Sequence, residues 1–356
     1  MKEENRIRSI DIVRGAVMII MALDHSRDLL HNDALTQSPT DLATTTPFLF
    51  FTRWITHLCA PTFVFLSGIS VYLSSRRTKN VRDTRNFLVK RGLWLIVLEF
   101  TLVNFALWFD FQFRILMLQV IAAIGVGLIV LAGLLKLNAT KIGVAGAVIL
   151  ITHNLLPFLP GTAEPALSLF RKILFEPGVV QVTPEFSFFI AYPLLPWIAI
   201  MLFGYACGQL YEFLPIQRQK YLSNFAVGFL LLFVLGRLVN IYGDPVPWVP
   251  QKNFTYSLLS FLNLTKYPPS LLFVLLFLGI TFFLLRYADN FSVWLRRILS
   301  VYGKVPLFYY VLHFYLIRLS VFVMVFAQGF SWSDLLFGPF QFGRPASGSG
   351  IGLLMV

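Results

Sequence analysis

The chain is poor in charge. Of its 356 residues only 13% are Asp, Glu, Lys or Arg, about half the fraction usual in soluble domains, while 57% are hydrophobic and 16% aromatic. With a mean hydropathy of +0.73, an ordinary soluble domain is excluded. Cysteine is scarce too: Cys59 and Cys207 both sit inside apolar runs, which supports neither a disulfide framework nor a thiolate metal site. The five histidines show no HExxH spacing, and neither a glycine-rich phosphate loop nor a GxSxG elbow occurs. Zincin, nucleotide-hydrolase and serine-hydrolase readings therefore lack support, and no metal is expected. No small-residue cleavage site follows MKEENRIRSIDIVRG, so the first apolar stretch reads as a retained span. Internal repeats and interdomain linkers are also missing. One membrane domain over 1–330 is the economical reading, with 331–356 as an extracytoplasmic tail.

Long apolar runs are what the chain does have. Nine of roughly bilayer-spanning length are expected: Ile10 to Leu30, Phe51 to Ser74, Leu88 to Phe109, Ile115 to Leu135, Ile142 to Leu159, Phe188 to Leu210, Leu222 to Ile241, Leu271 to Tyr287 and Val305 to Phe326. Runs such as Leu230 to Leu235 are apolar on every face, which sets aside a β-barrel of alternating strands. The fold class is all-α, a polytopic helical bundle. Its 29 Lys and Arg against 17 Asp and Glu give +12, and their placement sets topology rather than implying a nucleic-acid partner. Cations crowd the segments after spans two (Arg76, Arg77, Lys79, Arg82, Arg85, Lys90, Arg91), four (Lys136, Lys141), six (Arg218, Lys220) and eight (Arg296, Arg297, Lys304). By the positive-inside rule the N-terminus is cytoplasmic, in an inner membrane. The outward segments then include two long Pro-rich and aromatic stretches, Leu159 to Pro184 and Tyr242 to Pro269. Nine outward-first spans leave the C-terminus outside, and GRPASGSGIGLLMV contains no tenth apolar run. A closing span is therefore expected to be missing.

Ionisable groups inside spans cost about 2.5 to 3.5 kcal/mol on insertion scales and are functional candidates. Arg14 and His25 lie eleven residues apart, a net rotation of about 20° and a rise of roughly 16 Å, so both line one helix face at different depths. Asp11 and Asp28 flank that face. Asp28, three residues beyond His25, is placed to orient the imidazole as a base. Snorkelling of Arg14 and solvation of His25 at the interface explain the spacing equally well. His57, with Arg53 one turn before it, forms a second basic site at the depth of His25. Glu99, mid-span, is expected to face the bundle and to pair with Arg14 or Arg237 or remain protonated. Gln119, Asn154, Asn240 and Asn263 read as interhelical hydrogen-bonding groups. His313 reads as a packing residue among aromatics. Lys266 and Tyr267, before Pro268 and Pro269, lie where a cation meets an anionic or sugar substrate or else anchors the interface.

RIRSIDIVRGAVMIIMALDHSRD, APTFVFLSGISVYL and RGLWLIVLEFTLVNF, followed by YPLLPWIAIMLFGYACG, SFLNLTKYPPSLLF and GKVPLFYYVLHFYLI, resemble the bacterial branch of the heparan-α-glucosaminide N-acetyltransferase-like catalytic family. The resemblance runs from about Arg8 to Leu319. The Arg14 to His25 spacing and the FVFLSG run are also similar to the acyltransferase-3 membrane proteins. What the resemblance implies is a helical bundle around a pore, with acyl-CoA, acetyl-CoA above all, entering from the cytoplasm as co-substrate rather than as a resident cofactor. A sugar or glycan acceptor approaches from the other side. Arg14 would meet CoA phosphates, and His25 would act as general base, with direct transfer and an acyl-histidine both open. Human-type members are similar except that Asn matches His25, and their own histidine has no counterpart at His31 or His57, so heparan specificity does not carry over. Relatives also have a closing span and a basic tail, so activity depends on what the shortened chain retains.

The expected function is thus acyl transfer to an extracytoplasmic hydroxyl or amine, with His25, Asp28 and His57 as catalytic candidates. The partners are the bilayer, acyl-CoA and the acceptor, and a homodimer stays open. The alternative is a transporter or channel whose polar pathway is lined by Glu99, Arg237 and His313.

Overall fold

The computed structural model describes residues 7–32, 37–78, 80–158, 165–338 and 340–356. The first six residues, Lys79 and the start of the Leu159 to Pro184 stretch lie outside them. Helix α1 (Arg8–Leu30) is followed by α2 (Pro47–Thr56) and α3 (Cys59–Thr78), which together make the second span. The third joins α4 (Val81–Leu98) through a π-helical turn, Glu99–Val103, to α5 (Asn104–Trp108). Strand β1 (Ile115–Leu118) leads into α6 (Val120–Leu134), then α7 (Ala139–Thr152), α8 (Pro165–Phe175), β2 (Gly178–Thr183), β3 (Phe186–Ile190) and α9 (Leu194–Cys207). The remainder is α10 (Pro215–Val239), α11 (Phe254–Leu262), α12 (Leu271–Tyr287), α13 (Val293–Lys304) and α14 (Pro306–Ala327).

The protein is a polytopic helical membrane protein. Among the described residues, six helical segments are long and apolar enough to cross a bilayer: Pro47–Thr78, Val81–Trp108, Leu194–Glu212, Pro215–Val239, Leu271–Asn290 and Pro306–Ala327. Helices α6 and α7 are apolar but shorter. Helix α1 carries too much charge for that class, yet its 23 residues extend about 35 Å and its apolar and charged side chains alike are largely buried. It is the centre of the bundle, touching α2, α3, α12, α13 and α14.

Close backbone approach makes this packing possible. A Cβ on Gly15 of α1 would collide with the backbone carbonyl of Leu299 in α13, and one on Gly303 with that of Asp11. The same reciprocity joins α3 to α9, where Gly68 faces the Met201 carbonyl and Gly204 the Phe65 carbonyl. In lipid, where apolar side chains gain little by leaving the solvent, such contact between small residues is the main source of helix association.

Residues 115–118 and 188–190, expected as the starts of spans four and six, form strands instead. β1 pairs parallel with β3 and β3 antiparallel with β2. Asn104 is the reason β1 can dock on a helix. Its amide donates to the Met117 carbonyl (3.0 Å) and to the Glu99 carbonyl (2.7 Å), while its oxygen accepts from the Met117 N–H (2.6 Å). In the π turn the Glu99 carbonyl accepts from the backbone N–H of Asn104, five residues on, as well as from its side-chain amide.

Arg76, Arg77, Arg82, Arg85, Arg218, Lys220, Arg296, Arg297 and Lys304 gather at the end of the bundle that holds the start of α1; this is the basic face. At the opposite face Arg344 and Ile351 tie the described part of the stretch 331–356 to the end of α1. The Arg344 guanidinium, buried, donates to the carbonyls of His31 (2.8 Å) and Ser349, and Ile351 exchanges backbone hydrogen bonds with the end of α1. Trp108 stacks on Phe342 at 5.4 Å.

Candidate functional site

A cavity of about 620 Å³ runs through the bundle between α1, α3, α4 and α6. At the basic face it is lined by Arg14, Ser70, Ser74, Arg77, Arg91 and Lys304, and the exposure of Ser74, Arg77 and Arg91 opens it there. Its middle is apolar, with Met18, Met21, Leu95 and Ile124. The far half is lined by Asp24, His25, Gln119, Tyr192, Lys266 and Tyr310.

Helical spacing accounts for the first contributions. One face of α1 carries Asp11 and Arg14 at the open end and Asp24 and His25 deep inside. The Arg14 guanidinium donates to Ser70 Oγ on α3 (2.8 Å) and reaches Asp11 (3.3 Å). Both arginine and serine therefore face the same polar passage.

His25 has a partner that sequence spacing did not suggest. Its Nδ1 lies 2.7 Å from Nε2 of His313 on α14, and His313 Nδ1 lies 3.0 Å from the Tyr309 carbonyl. A carbonyl can only accept, so His313 carries its proton on Nδ1 and, when neutral, presents a lone pair at Nε2. His25 then donates from Nδ1, and its own lone pair is on Nε2. Phe314 stacks on the His25 ring at 4.3 Å, so the imidazole is held in plane as well as in tautomer.

Asp28 is not placed on the imidazole. It accepts from Arg27 (2.6 Å) and Arg53 (3.3 Å). The deeper carboxylate, Asp24, takes Arg27 (2.5 Å), Arg53 (2.7 and 2.9 Å) and Thr56 Oγ1 (2.8 Å). This cluster locks α1 to α2 beside His25. Asp24 was missed in the sequence reading, although an acid within an apolar helix, next to His25 and three residues before an arginine, is itself a signal. His57 is buried behind the cluster against Phe273 and Phe277, at centroid distances of 5.7 and 5.9 Å, and is absent from the cavity lining.

Glu99 pairs with neither Arg14 nor Arg237. Its Oε2 accepts from the N–H groups of Ile121 (2.9 Å) and Ala122 (3.0 Å), occupying the positive end of α6. Arg237 donates to four backbone carbonyls in and around α11, Phe261, Val246, Ser260 and Asn263, at 2.9 to 3.0 Å. The pathway expected from Glu99, Arg237 and His313 is thus not assembled, since none of the three lines the cavity. Asn154, Asn240 and Asn263 hold loop or helix-start backbone at Leu271, Trp248 and Thr40, while Gln119 lines the cavity.

The fold and this passage define a membrane-embedded site in which a buried histidine pair meets a cavity that opens onto a cationic surface. The chain belongs to the family of the heparan-alpha-glucosaminide N-acetyltransferase catalytic domain, which matches residues 6–242. Membrane acetyl transfer is the activity that family carries. The match covers α1 to α10 and with them Arg14, Asp24 and His25, whereas Lys266, Lys304 and His313 lie beyond it. No curated protein matches the chain.

Proposed function

We propose that the protein transfers an acyl group from acyl-CoA, bound at the basic face, to a hydroxyl or amine of a sugar or glycan that reaches His25 from the opposite face. The basic face is cytoplasmic by the positive-inside rule, and the acceptor is extracytoplasmic. The observation that carries this reading is His25 itself, a cavity-lining imidazole whose Nδ1–H is engaged by His313 so that Nε2 is free to accept a proton.

In the reaction His25 Nε2 takes the proton of the acceptor as its oxygen or nitrogen attacks the thioester carbonyl. The tetrahedral intermediate collapses, the C–S bond breaks, and the same proton passes to the departing thiolate. A positioned general base contributes about 10² to 10⁴-fold in rate. The imidazolium formed in between lies beside the Asp24 carboxylate. Arg14, Arg77, Arg91 and Lys304 supply cations where the CoA phosphates would rest, and the apolar middle of the cavity accommodates the pantetheine arm.

Two measurements on purified protein in nanodiscs test the reading. Wild type should bind acetyl-CoA by calorimetry and transfer labelled acetyl groups to an amino sugar, while His25→Ala should keep the binding and lose transfer by at least 100-fold. Absence of acetyl-CoA binding by wild type removes the donor from the proposal, and turnover retained in His25→Ala removes the base.

A further inference from the structure

Lys266 is a buried cation with no counter-charge of its own, since Asp24, the carboxylate within electrostatic reach of it, is shared with Arg27 and Arg53. It is 8% exposed, lines the deep half of the cavity, and belongs to the loop that precedes α12. Its ammonium lies 5.2 Å from the centre of the Tyr267 ring, whose hydroxyl is its hydrogen-bond partner. The two carboxylates of this region are already engaged, Asp24 by Arg27, Arg53 and Thr56, and Asp28 by Arg27 and Arg53. Among the described residues no carboxylate forms an ion pair with Lys266. Around His25, two carboxylates therefore face three cations, Arg27, Arg53 and Lys266. The histidine pair adds no charge when neutral.

An excess positive charge taken out of water is costly, and such a site is stabilised by an anion that enters with the ligand. The donor's phosphates cannot be that anion in the proposed binding mode, since they lie at the cationic mouth some 16 Å along α1 from His25. We infer that Lys266 recognises an anionic substituent, a carboxylate, sulfate or phosphate, on the acceptor sugar, and so selects acidic acceptors over neutral ones. The inference rests on the acyltransferase reading and names the acceptor class that the reading left open. The geometry suits it: Lys266 and His25 line the same half of the cavity, and Tyr192 and Tyr310 offer hydroxyls for the sugar's neutral groups.

The test is binding, so that it stands apart from turnover. Radiolabelled glucosamine 6-phosphate and glucosamine are compared by equilibrium dialysis against the full chain in nanodiscs of neutral phosphatidylcholine, without acyl-CoA. The phosphorylated sugar should bind at least tenfold more tightly than glucosamine. Lys266→Gln should abolish that preference and Lys266→Arg should retain it. Equal binding of the two sugars to wild type overturns the proposal, as does a preference that survives in Lys266→Gln. If phosphatidylglycerol in the nanodiscs displaces the phosphorylated sugar, the anion at Lys266 is a lipid headgroup and the proposal also falls. Acetyl transfer by a wild type that shows no preference would leave the acyltransferase reading intact and refute only the role of Lys266. A preference in a protein that transfers nothing would do the reverse.

Discussion

Asp24 and His313 act at the level of single side chains, one holding a cluster of charges and the other holding a tautomer. Removing Asp24 leaves Arg27 and Arg53 with only the half-exposed Asp28 as counter-charge. Breaking one partner of a buried ion pair costs about 3 to 5 kcal/mol. Asp24→Ala should therefore lower the thermal unfolding midpoint in detergent by several degrees, and an unchanged midpoint would show that the cluster contributes nothing. His313→Ala removes the acceptor for the His25 Nδ1–H and should reduce kcat by about 10 to 100-fold with little change in the KM for acyl-CoA. His313→Gln, whose amide oxygen can take that hydrogen bond, should recover part of the loss; equal losses in both variants would reduce His313 to packing. The histidine pair also marks the limit of local reading. Arg14 and His25 are on one helix, where a fixed rise and rotation relate any two positions. His313 is 288 residues away, and no spacing rule reaches across that interval.

At the scale of helices and strands, glycine contacts and one short loop bear the consequences. Gly68→Val would drive side-chain atoms into the Met201 carbonyl of α9, and overpacking of this kind costs about 1 to 3 kcal/mol or more. A matching fall in thermal stability should be seen, with none for Gly133→Val, since a Cβ at Gly133 meets nothing within 4 Å. The loop before β1 turns on Asp110, which accepts from the N–H groups of Gln112 (3.2 Å) and Arg114 (3.0 Å) and from the Arg114 guanidinium (3.0 Å). Burial by itself would raise this carboxyl, but the Arg114 guanidinium and the backbone N–H groups outweigh it and hold it below the usual carboxylate range. With the folded-state value depressed, the loop's stabilisation is present above about pH 4 and is lost as pH falls through the folded value. Hydrogen exchange over 110–118 should accelerate in that acid range, and Asp110→Asn should show the faster exchange already at neutral pH. Six of the nine expected runs were legible as helices long and apolar enough to cross a bilayer, because hydropathy reports on lipid-facing and buried helices alike; α1 carries too much charge for that class, and α6 and α7 are too short. Strands β1 to β3 were not, since three short apolar segments beside helices present no distinct period, and the Asn104 hydrogen bonds that hold β1 depend on a π turn that leaves no pattern in the residues.

For the molecule as a whole, the distribution of charge gives the cavity a direction. Acetyl-CoA binding should weaken about tenfold in Arg14→Ala by calorimetry and decline with added salt, because cations at an open mouth are screened. Binding insensitive to both would place the nucleotide elsewhere. That mouth was read in part: Arg14 stood out as a charge inside a span, whereas Arg77, Arg91 and Lys304 were counted as topology signals and only the fold gathers them at one opening. The hydrogen bond between His25 and His313 also has a bearing on biosynthesis. At about 5 to 20 residues per second, a ribosome needs roughly 15 to 60 s to travel from one partner to the other. For most of that interval the growing chain carries Arg14, Arg77 and Arg91 of the cationic mouth and its first imidazole, but neither Lys304 nor the group that aims the imidazole. On the proposed reading, an unfinished copy would thus be poorly equipped to spend acyl-CoA on water, and competence would arrive only as α14 docks against α1.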